Sequence, residues 1–296
     1  LWGGQTEFLH AKKYLVPFIC PIMQSCMELG ITGRYRGIRA VMIPTMCDTL
    51  RCVTQDFKNA VKDIVTIPFT LPQNRGMQAA LDFLQEEYGE VRRRIEEVYG
   101  VTVTDEAMER SIAVYNEHSA AMRAFTQLAN DHLDVITPTV RHAVMKSAWF
   151  MTKGEHTALV HALNDELRRL PVHEFTGRRV VLTGITAEPD SFLRILEDNR
   201  MAVVADDLAH ESRQWRTDIP DGGAPLERLA RQWASRTDPM AHAETFRRTE
   251  LLTELCRQSR ADAVLVCLMK FCDPEEYEYV QYSRDLKQAG IPLLSI

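Results

Sequence analysis

The sequence predicts an α/β protein in which two parallel-sheet regions flank a helical subdomain, and three observations carry that prediction. After residue 172, apolar runs of strand length alternate with helical segments; a shorter β-α-β unit occupies residues 38–68; between them, residues 77–170 keep a three-to-four-residue apolar period. The expected divisions are residues 1–76 for the first α/β domain, 77–171 for the helical subdomain and 172–296 for the second α/β domain. A chain of 296 residues can bury more than one core.

Taken in order, Leu9 to Gly30 reads as mostly helical with a break at Pro17, and a second helix opens at Cys20-Pro21. Proline is favoured at the first helical position, which puts Cys20 at or near the N-cap. Ile38–Pro44 is an apolar strand that runs into Thr45-Met46-Cys47-Asp48 and a helix to about Val61, with Asp48 as cap or first-turn acid. Ile64–Pro68 is a second strand. In the middle region Leu81, Leu84, Tyr88, Val91, Ile95 and Val98 mark one long helix, and Thr102-Val103-Thr104-Asp105 punctuates it before a second helix to about Asn130. Further helices are expected over 138–152 and 155–170.

Beyond Pro171 the expected elements are a strand from Arg179 to Gly184, a helix from Pro189 to Asn199, and a strand from Met201 to Ala205 that stops at Asp206-Asp207. Two helices follow up to about Arg260, then a strand from Ala263 to Met269, a helix from Glu275 to Ala289 and a last strand from Ile291. Strands separated by helices of this length imply a parallel, doubly wound sheet, whose loops at the strand C-termini converge on one crevice. Gly184 stands without a G-x-G-x-x-G pattern, so no dinucleotide site is indicated.

Composition narrows the function. With 35 basic and 41 acidic residues the formal charge is −6, and no apolar run reaches the roughly 20 residues of a bilayer span, so neither nucleic acid nor membrane is an expected partner. Arg92-Arg93-Arg94 and Arg247-Arg248 lie in mixed-charge helical patterns and read as solvated faces. The chain begins Leu1-Trp2 without a methionine, carries no signal peptide and stops inside an expected strand, so both ends of a longer natural chain are expected to be absent. A cytoplasmic location is expected.

Seven cysteines are too few and too odd in number for a disulfide scaffold. Three of them, Cys20, Cys47 and Cys272, fall at a helix N-terminus or in the turn after a strand, whereas Cys26, Cys52 and Cys267 fall inside a helix or strand. Unpaired N–H groups at a helix N-terminus stabilise a thiolate, the form that binds iron–sulfur clusters. Burial of all seven as small apolar side chains accounts for the same spacing. The remaining candidates are weaker. Asp206-Asp207 with Glu211-Ser212-Arg213 could present carboxylates and an arginine in the crevice or cap helices, and Lys270 could meet an anion or cover the sheet edge. Glu275-Glu276 reads as a first helical turn, and His142, His156 and His161 read as packing or surface residues without the HExxH spacing of a metal site.

Four segments, Phe18-Ile19-Cys20-Pro21, Pro44-Thr45-Met46-Cys47-Asp48-Thr49-Leu50, Asp206 to Arg213, and Met269-Lys270-Phe271-Cys272-Asp273-Pro274-Glu275-Glu276-Tyr277, resemble in order the signature regions of the 2-hydroxyacyl-CoA dehydratase and benzoyl-CoA reductase family. Tyr115-Asn116-Glu117 and Arg141-His142-Ala143 extend the resemblance through the helical region, and within the family it points to the smaller subunit of the heterodimeric dehydratases. The resemblance implies two flavodoxin-like domains with a helical addition and a [4Fe-4S] cluster between them, ligated by Cys20, Cys47 and Cys272. It identifies no fourth ligand and no catalytic side chain; Cys52 and Cys267 are near in sequence only.

The resemblance further implies a larger partner subunit with its own cluster and a separate ATP-hydrolysing iron–sulfur activator that delivers one electron. The reaction it implies removes water from an (R)-2-hydroxyacyl-CoA through a ketyl radical of the thioester, giving an enoyl-CoA. Iron–sulfur potentials reach down to about −700 mV, a range that suits so difficult an elimination. In the smaller subunit the cluster is expected to relay electrons. A reductase that dearomatises benzoyl-CoA, or a non-catalytic electron-transfer protein on the same fold, are the alternatives.

Overall fold

The computed structural model describes residues 3, 4, 6–236 and 247–296. The expected opening at residues 1–2, and the link within residues 237–246 between the two helices expected before Arg260, lie outside the described residues. Helix α1 (Pro21–Ile31) leads to strand β1 (Ala40–Pro44), α2 (Asp48–Ala60) and β2 (Val65–Phe69). Four helices follow: α3 (Gln78–Tyr99), α4 (Asp105–Ala129), α5 (Pro138–Ser147) and α6 (Lys153–Arg169). The last part runs β3 (Arg178–Gly184), α7 (Asp190–Asp198), β4 (Met201–Leu208), α8 (Pro225–Ser235), α9 (Arg247–Ser259), β5 (Ala263–Cys267), α10 (Asp273–Gln288) and β6 (Leu293–Ser295). Among the described residues, no helix is long and apolar enough to cross a membrane.

All paired strands are parallel. β1 pairs with β2, and a four-stranded sheet has the order β4-β3-β5-β6. The order reverses direction between β3 and β5, where a doubly wound sheet opens its crevice. Its two faces are both buried, as parallel strands require. On one face Val180, Leu182 and Leu265 pack against Leu193 and Leu196 of α7; on the other, Val181, Val264 and Val266 pack against Leu252 of α9 and Tyr282 and Leu286 of α10. A smaller core under β1 gathers Met27, Val53 and Phe57 from α1 and α2.

At the switch point the register pairs Gly184 with Cys267. Gly184 has φ +128°, and a Cβ there would lie 2.2 Å from the Cys267 carbonyl oxygen, so only glycine lets the two strand ends close. The helical subdomain is built on α4 against α6, with Met122, Phe125, Met145 and Val160 fully buried and Trp215 inserted from the loop after β4. Helix α3 is covered from the other side by Ala230 and Trp233 of α8.

Four expectations differ from the structure, and one of them is the helix expected over 138–152, which ends at Ser147 with Ala148 as its C-cap. Residues 9–16 form only a 3-10 turn at Ala11–Lys13. Pro17 disfavours the helical region for Val16, and the Glu28 carboxylate instead accepts the N–H groups of His10 and Ala11 at 2.8 and 2.7 Å. Strand β4 continues beyond Ala205 through Asp206-Asp207 to Leu208, because arginines neutralise both acids inside the fold. Strand β5 ends at Cys267 and not at Met269, leaving residues 268–272 as the turn into α10.

Candidate functional site

Cys20, Cys47 and Cys272 are the N-caps of α1, α2 and α10. Pro21 and Pro274 occupy the first turns of α1 and α10, where a missing N–H costs nothing. Cys47 caps most directly, its Sγ accepting the Leu50 N–H at 3.4 Å. The three thiols are close enough to act on one another electrostatically: Cys47 on Cys20, and both Cys20 and Cys47 on Cys272. Asp273 in turn acts on Cys47. Three helix N-termini distant in sequence therefore lie within electrostatic reach of one another. Burial pushes all three thiols up, with Cys272 reaching about 12, while backbone N–H groups of Met23, Leu50 and Glu275 oppose the shift. Such thiols ionise when a cation arrives to compensate them.

The turn before Cys272 is set by backbone strain. Phe271 has φ +64°, a region that costs a bulky residue of order 1–2 kcal/mol. The Cys272 N–H donates to Met269 O at 3.0 Å, closing the turn at the start of α10. Lys270 is exposed and holds its Nζ 5.2 Å from the Phe271 ring centre. The other cysteines stand apart from this triplet. Cys26 is buried and hydrogen-bonded to Tyr35, Cys52 is exposed on α2 and Cys256 is buried in α9. Cys267 lies in β5, where burial first, and then Glu211, Asp206 and Glu275, push it to about 12. Among the described residues, no group of three His, Cys, Asp or Glu side chains converges on a single metal ion.

Beneath the thiols lies a buried ion network. Asp207 pairs with Arg213 at 3.3 Å, Arg216 at 2.8 Å and Arg248 at 2.6 Å. Glu275, three residues after Cys272, pairs with Arg213 at 2.8 Å and Arg248 at 3.0 Å. Arg248 also reaches Thr183 Oγ1 at 2.7 Å and Glu278 at 3.0 Å. A second branch joins the helical subdomain to β4: Arg141 binds Asp206 at 2.5 Å and Glu211 at 2.8 Å, and His142 Nδ1 binds Glu211 at 2.8 Å. Burial alone would raise the Asp207 carboxyl, but the three arginines hold it well below the usual range. Burial pushes Glu278 up to about 7 against the attraction of Arg248.

Asp206, Asp207, Glu211 and Arg213 are therefore framework and not substrate-facing groups. Arg92, Arg93 and Arg94 do form a solvated face, but Arg248 does not: it is 3% exposed. The missed signal is its spacing, since Arg248, Leu252 and Cys256 recur at i, i+4, i+8 on the inward stripe of α9. Glu275 likewise belongs to the first turn of α10 but is buried and paired. His142 and His156 are buried, and His161 is exposed.

The network predicts a pH dependence. Burial works against a charged His142, yet hydrogen bonds to Glu188 and Glu211 outweigh it and raise its pKa to about 9. The raised value means that its stabilisation is fully present below the unfolded pKa of about 6.5 and is lost as pH rises through about 9. Urea unfolding should lose up to about 3 kcal/mol between pH 6.5 and 9.5 from this group, and His142→Gln should flatten that slope. An identical slope in the variant would exclude His142 as its source.

A cavity of about 620 Å³ opens beside Cys20. Its walls include Pro21 and Ile22 of α1, Lys146, Thr186, His210, and Met269 of the Cys272 turn. Thr186 Oγ1 is buried there without a partner among the described residues, and burial lowers His210 to about 4, so its ring is neutral. The site thus combines three thiols, a firm ionic base and an adjoining space with hydrogen-bonding groups.

A family described as "2-hydroxyglutaryl-CoA dehydratase, D-component" matches residues 1–296. The chain is 42% identical over 292 residues to the (R)-phenyllactyl-CoA dehydratase beta subunit of Clostridium sporogenes, covering 99% of this chain and 78% of that protein. It is 43% identical over 299 residues to the lactoyl-CoA dehydratase subunit beta of Anaerotignum propionicum, covering 100% and 79%. It is 37% identical over 306 residues to the (R)-2-hydroxyglutaryl-CoA dehydratase subunit beta of Acidaminococcus fermentans, covering 100% and 80%.

Proposed function

Because this chain belongs to the 2-hydroxyglutaryl-CoA dehydratase D-component family, we propose that it is the iron–sulfur beta subunit of a 2-hydroxyacyl-CoA dehydratase, a hydro-lyase that converts an (R)-2-hydroxyacyl-CoA to the enoyl-CoA. The observation that carries the reading is that Cys20, Cys47 and Cys272 stand at three helix N-termini within electrostatic reach of one another. The relatives that name a dehydratase are beta subunits, which supports a larger partner subunit, and the family resemblance supports an ATP-dependent activator. The β4-β3-β5-β6 order suits a flavodoxin-like domain, and the β1-β2 pair with its two helices is the counterpart expected of a second. Free thiols throughout suit a reducing cytoplasm.

The donor set fits a [4Fe-4S] cluster. Thiolates are its ligands, and each would bind a different iron, so the three sulfurs are expected at the corners of a body and not around one ion. When bound, the cluster supplies single electrons at low potential. The chain's own contribution is positional. Three helix N-termini offer N–H groups to the sulfurs, the Phe271 turn sets Cys272 at the head of α10, and the Asp207–Arg248–Glu275 network fixes the first turn of α10. The cavity beside Cys20 keeps a space for a small group, with neutral His210 and the Thr186 hydroxyl on its wall.

Anaerobic assay with the partner subunit and activator tests the reading. Turnover of a 2-hydroxyacyl-CoA to its enoyl-CoA is the expected result. Consumption of benzoyl-CoA would make the protein a reductase subunit, and reversible reduction with no acyl-CoA turned over would make it an electron-transfer protein.

A further inference from the structure

A second cavity, of about 920 Å³, lies in the helical subdomain between α4, the α5–α6 turn and the loop after β4. That volume is in the range of small-molecule sites. Among the described residues its wall holds two cations, Arg110 and Lys153, and no acid, on a chain whose net charge is −6. The Lys153 ammonium donates to Ala148 O at 2.7 Å and lies 5.9 Å from the ring centre of Tyr115 and 5.8 Å from that of Trp149. Both rings keep about half their surface open, an unusual exposure for residues of this size. The cavity is therefore built from flat apolar faces with positive charge beside them.

A hydrogen-bond chain behind the wall sets the character of His118. Ser147 Oγ donates to Val144 O at 2.8 Å, so its oxygen accepts from His156 Nε2 at 2.9 Å. With Nε2 as the donor, His156 Nδ1 accepts from His118 Nε2 at 2.9 Å. Burial, reinforced by Lys153 and His156, lowers His118 to about 4 and keeps it neutral. A neutral imidazole that donates through Nε2 carries a lone pair on Nδ1, and this ring forms part of the cavity wall. The tautomer follows from the network, and the ring, itself 2% exposed, lines the cavity.

Flat faces, an acceptor and two cations together match a heteroaromatic base that has an exocyclic amine and carries phosphate. We propose that this cavity binds an adenine nucleotide, with the base against Tyr115 and Trp149, its amine donating to His118 Nδ1, and its phosphates at Lys153 and Arg110. Two ligands offer that chemistry: a free adenosine phosphate, and the nucleotide end of a coenzyme A thioester. Only the coenzyme A source rests on the dehydratase reading. Base–aromatic stacking and charge-assisted bonds to phosphate are each strong enough for their loss to be measured.

Calorimetry on the full protein, purified anaerobically with its partner subunit, tests this with ADP, IDP, coenzyme A and pantetheine. ADP is expected to bind, and to bind at least about 10-fold more weakly in Trp149→Ala and in Lys153→Met, while Trp149→Phe restores binding. IDP, which presents an oxo group in place of the amine, is expected to be at least about 10-fold weaker than ADP. Competition by coenzyme A but not by pantetheine assigns the site to the thioester's nucleotide; ADP binding without such competition assigns it to a free nucleotide. Either result supports the site. Equal affinity for ADP and IDP, or ADP affinity unchanged in both Trp149→Ala and Lys153→Met, overturns it, whatever the assay for dehydration shows.

Discussion

Cys47→Ser and Cys272→Ser should each lower dehydratase turnover by more than about 100-fold, since even a residue behind a metal ligand is commonly worth 10–100-fold and these are proposed as the ligands themselves. The fold should survive. Serine is nearly isosteric, and its hydroxyl can replace the contacts that the Cys47 and Cys272 sulfurs make with the backbone N–H groups of Leu50 and Glu275. Circular dichroism and thermal midpoint should therefore stay close to those of the unaltered protein. Cys52→Ser is the matched control, because Cys52 is exposed on the same helix as Cys47 and takes no part in the triplet. Loss of turnover in Cys52→Ser equal to that in Cys47→Ser would mean that thiol chemistry matters here for some reason other than ligation.

The second large effect concerns stability. Arg248→Met removes the shared partner of Asp207, Glu275 and Glu278 in a region closed to water. Breaking a buried pair by deleting one member costs roughly 3–5 kcal/mol, because the remaining charge stays desolvated and unpaired. A comparable cost is expected for Asp207→Asn, which leaves Arg213, Arg216 and Arg248 facing a neutral amide. Exposed Arg93→Ala, by contrast, should leave the urea midpoint essentially unchanged. The sign with pH is also set. Asp207 is depressed, so its contribution is present above the unfolded carboxyl pKa of about 4 and is lost only as pH falls below it. Urea unfolding at neutral pH measures the cost, and a change under about 1 kcal/mol in Arg248→Met would show that the network does not hold α10. Since Glu275 lies in the first turn of that helix, the same variant should retain less iron.

The placing of the three thiols at helix N-termini was legible because each carries a local signature. Cys20-Pro21, Cys47-Asp48 and Cys272-Asp273-Pro274 each place a small polar side chain just before residues that start helices, and the parallel β-α texture says that such ends converge. The framework under them was hidden. Asp206-Asp207 ends an apolar run and so reads as a loop, until Arg213 and Arg216 of the loop that follows, Arg141 of α5 and Arg248 of α9 neutralise it. Pairing across sequence separations of up to 65 residues leaves no periodic trace. Arg248 alone could have been found, by its place on the stripe of Leu252 and Cys256. The strained Phe271 turn had no signal, for a left-handed phenylalanine is imposed by the closure around it and not chosen by its own preference. The 3-10 turn at Ala11–Lys13 depended on Glu28, a carboxylate from the next helix that captured the N–H groups a longer helix would have used.

The central claim is that Cys20, Cys47 and Cys272 hold one cluster, and iron and acid-labile sulfide per chain measure it most directly. Protein purified without oxygen, with its partner's contribution subtracted, should contain about four of each, and the double Cys47→Ser, Cys272→Ser variant should contain almost none. A full complement of iron and sulfide in that double variant would contradict the assignment.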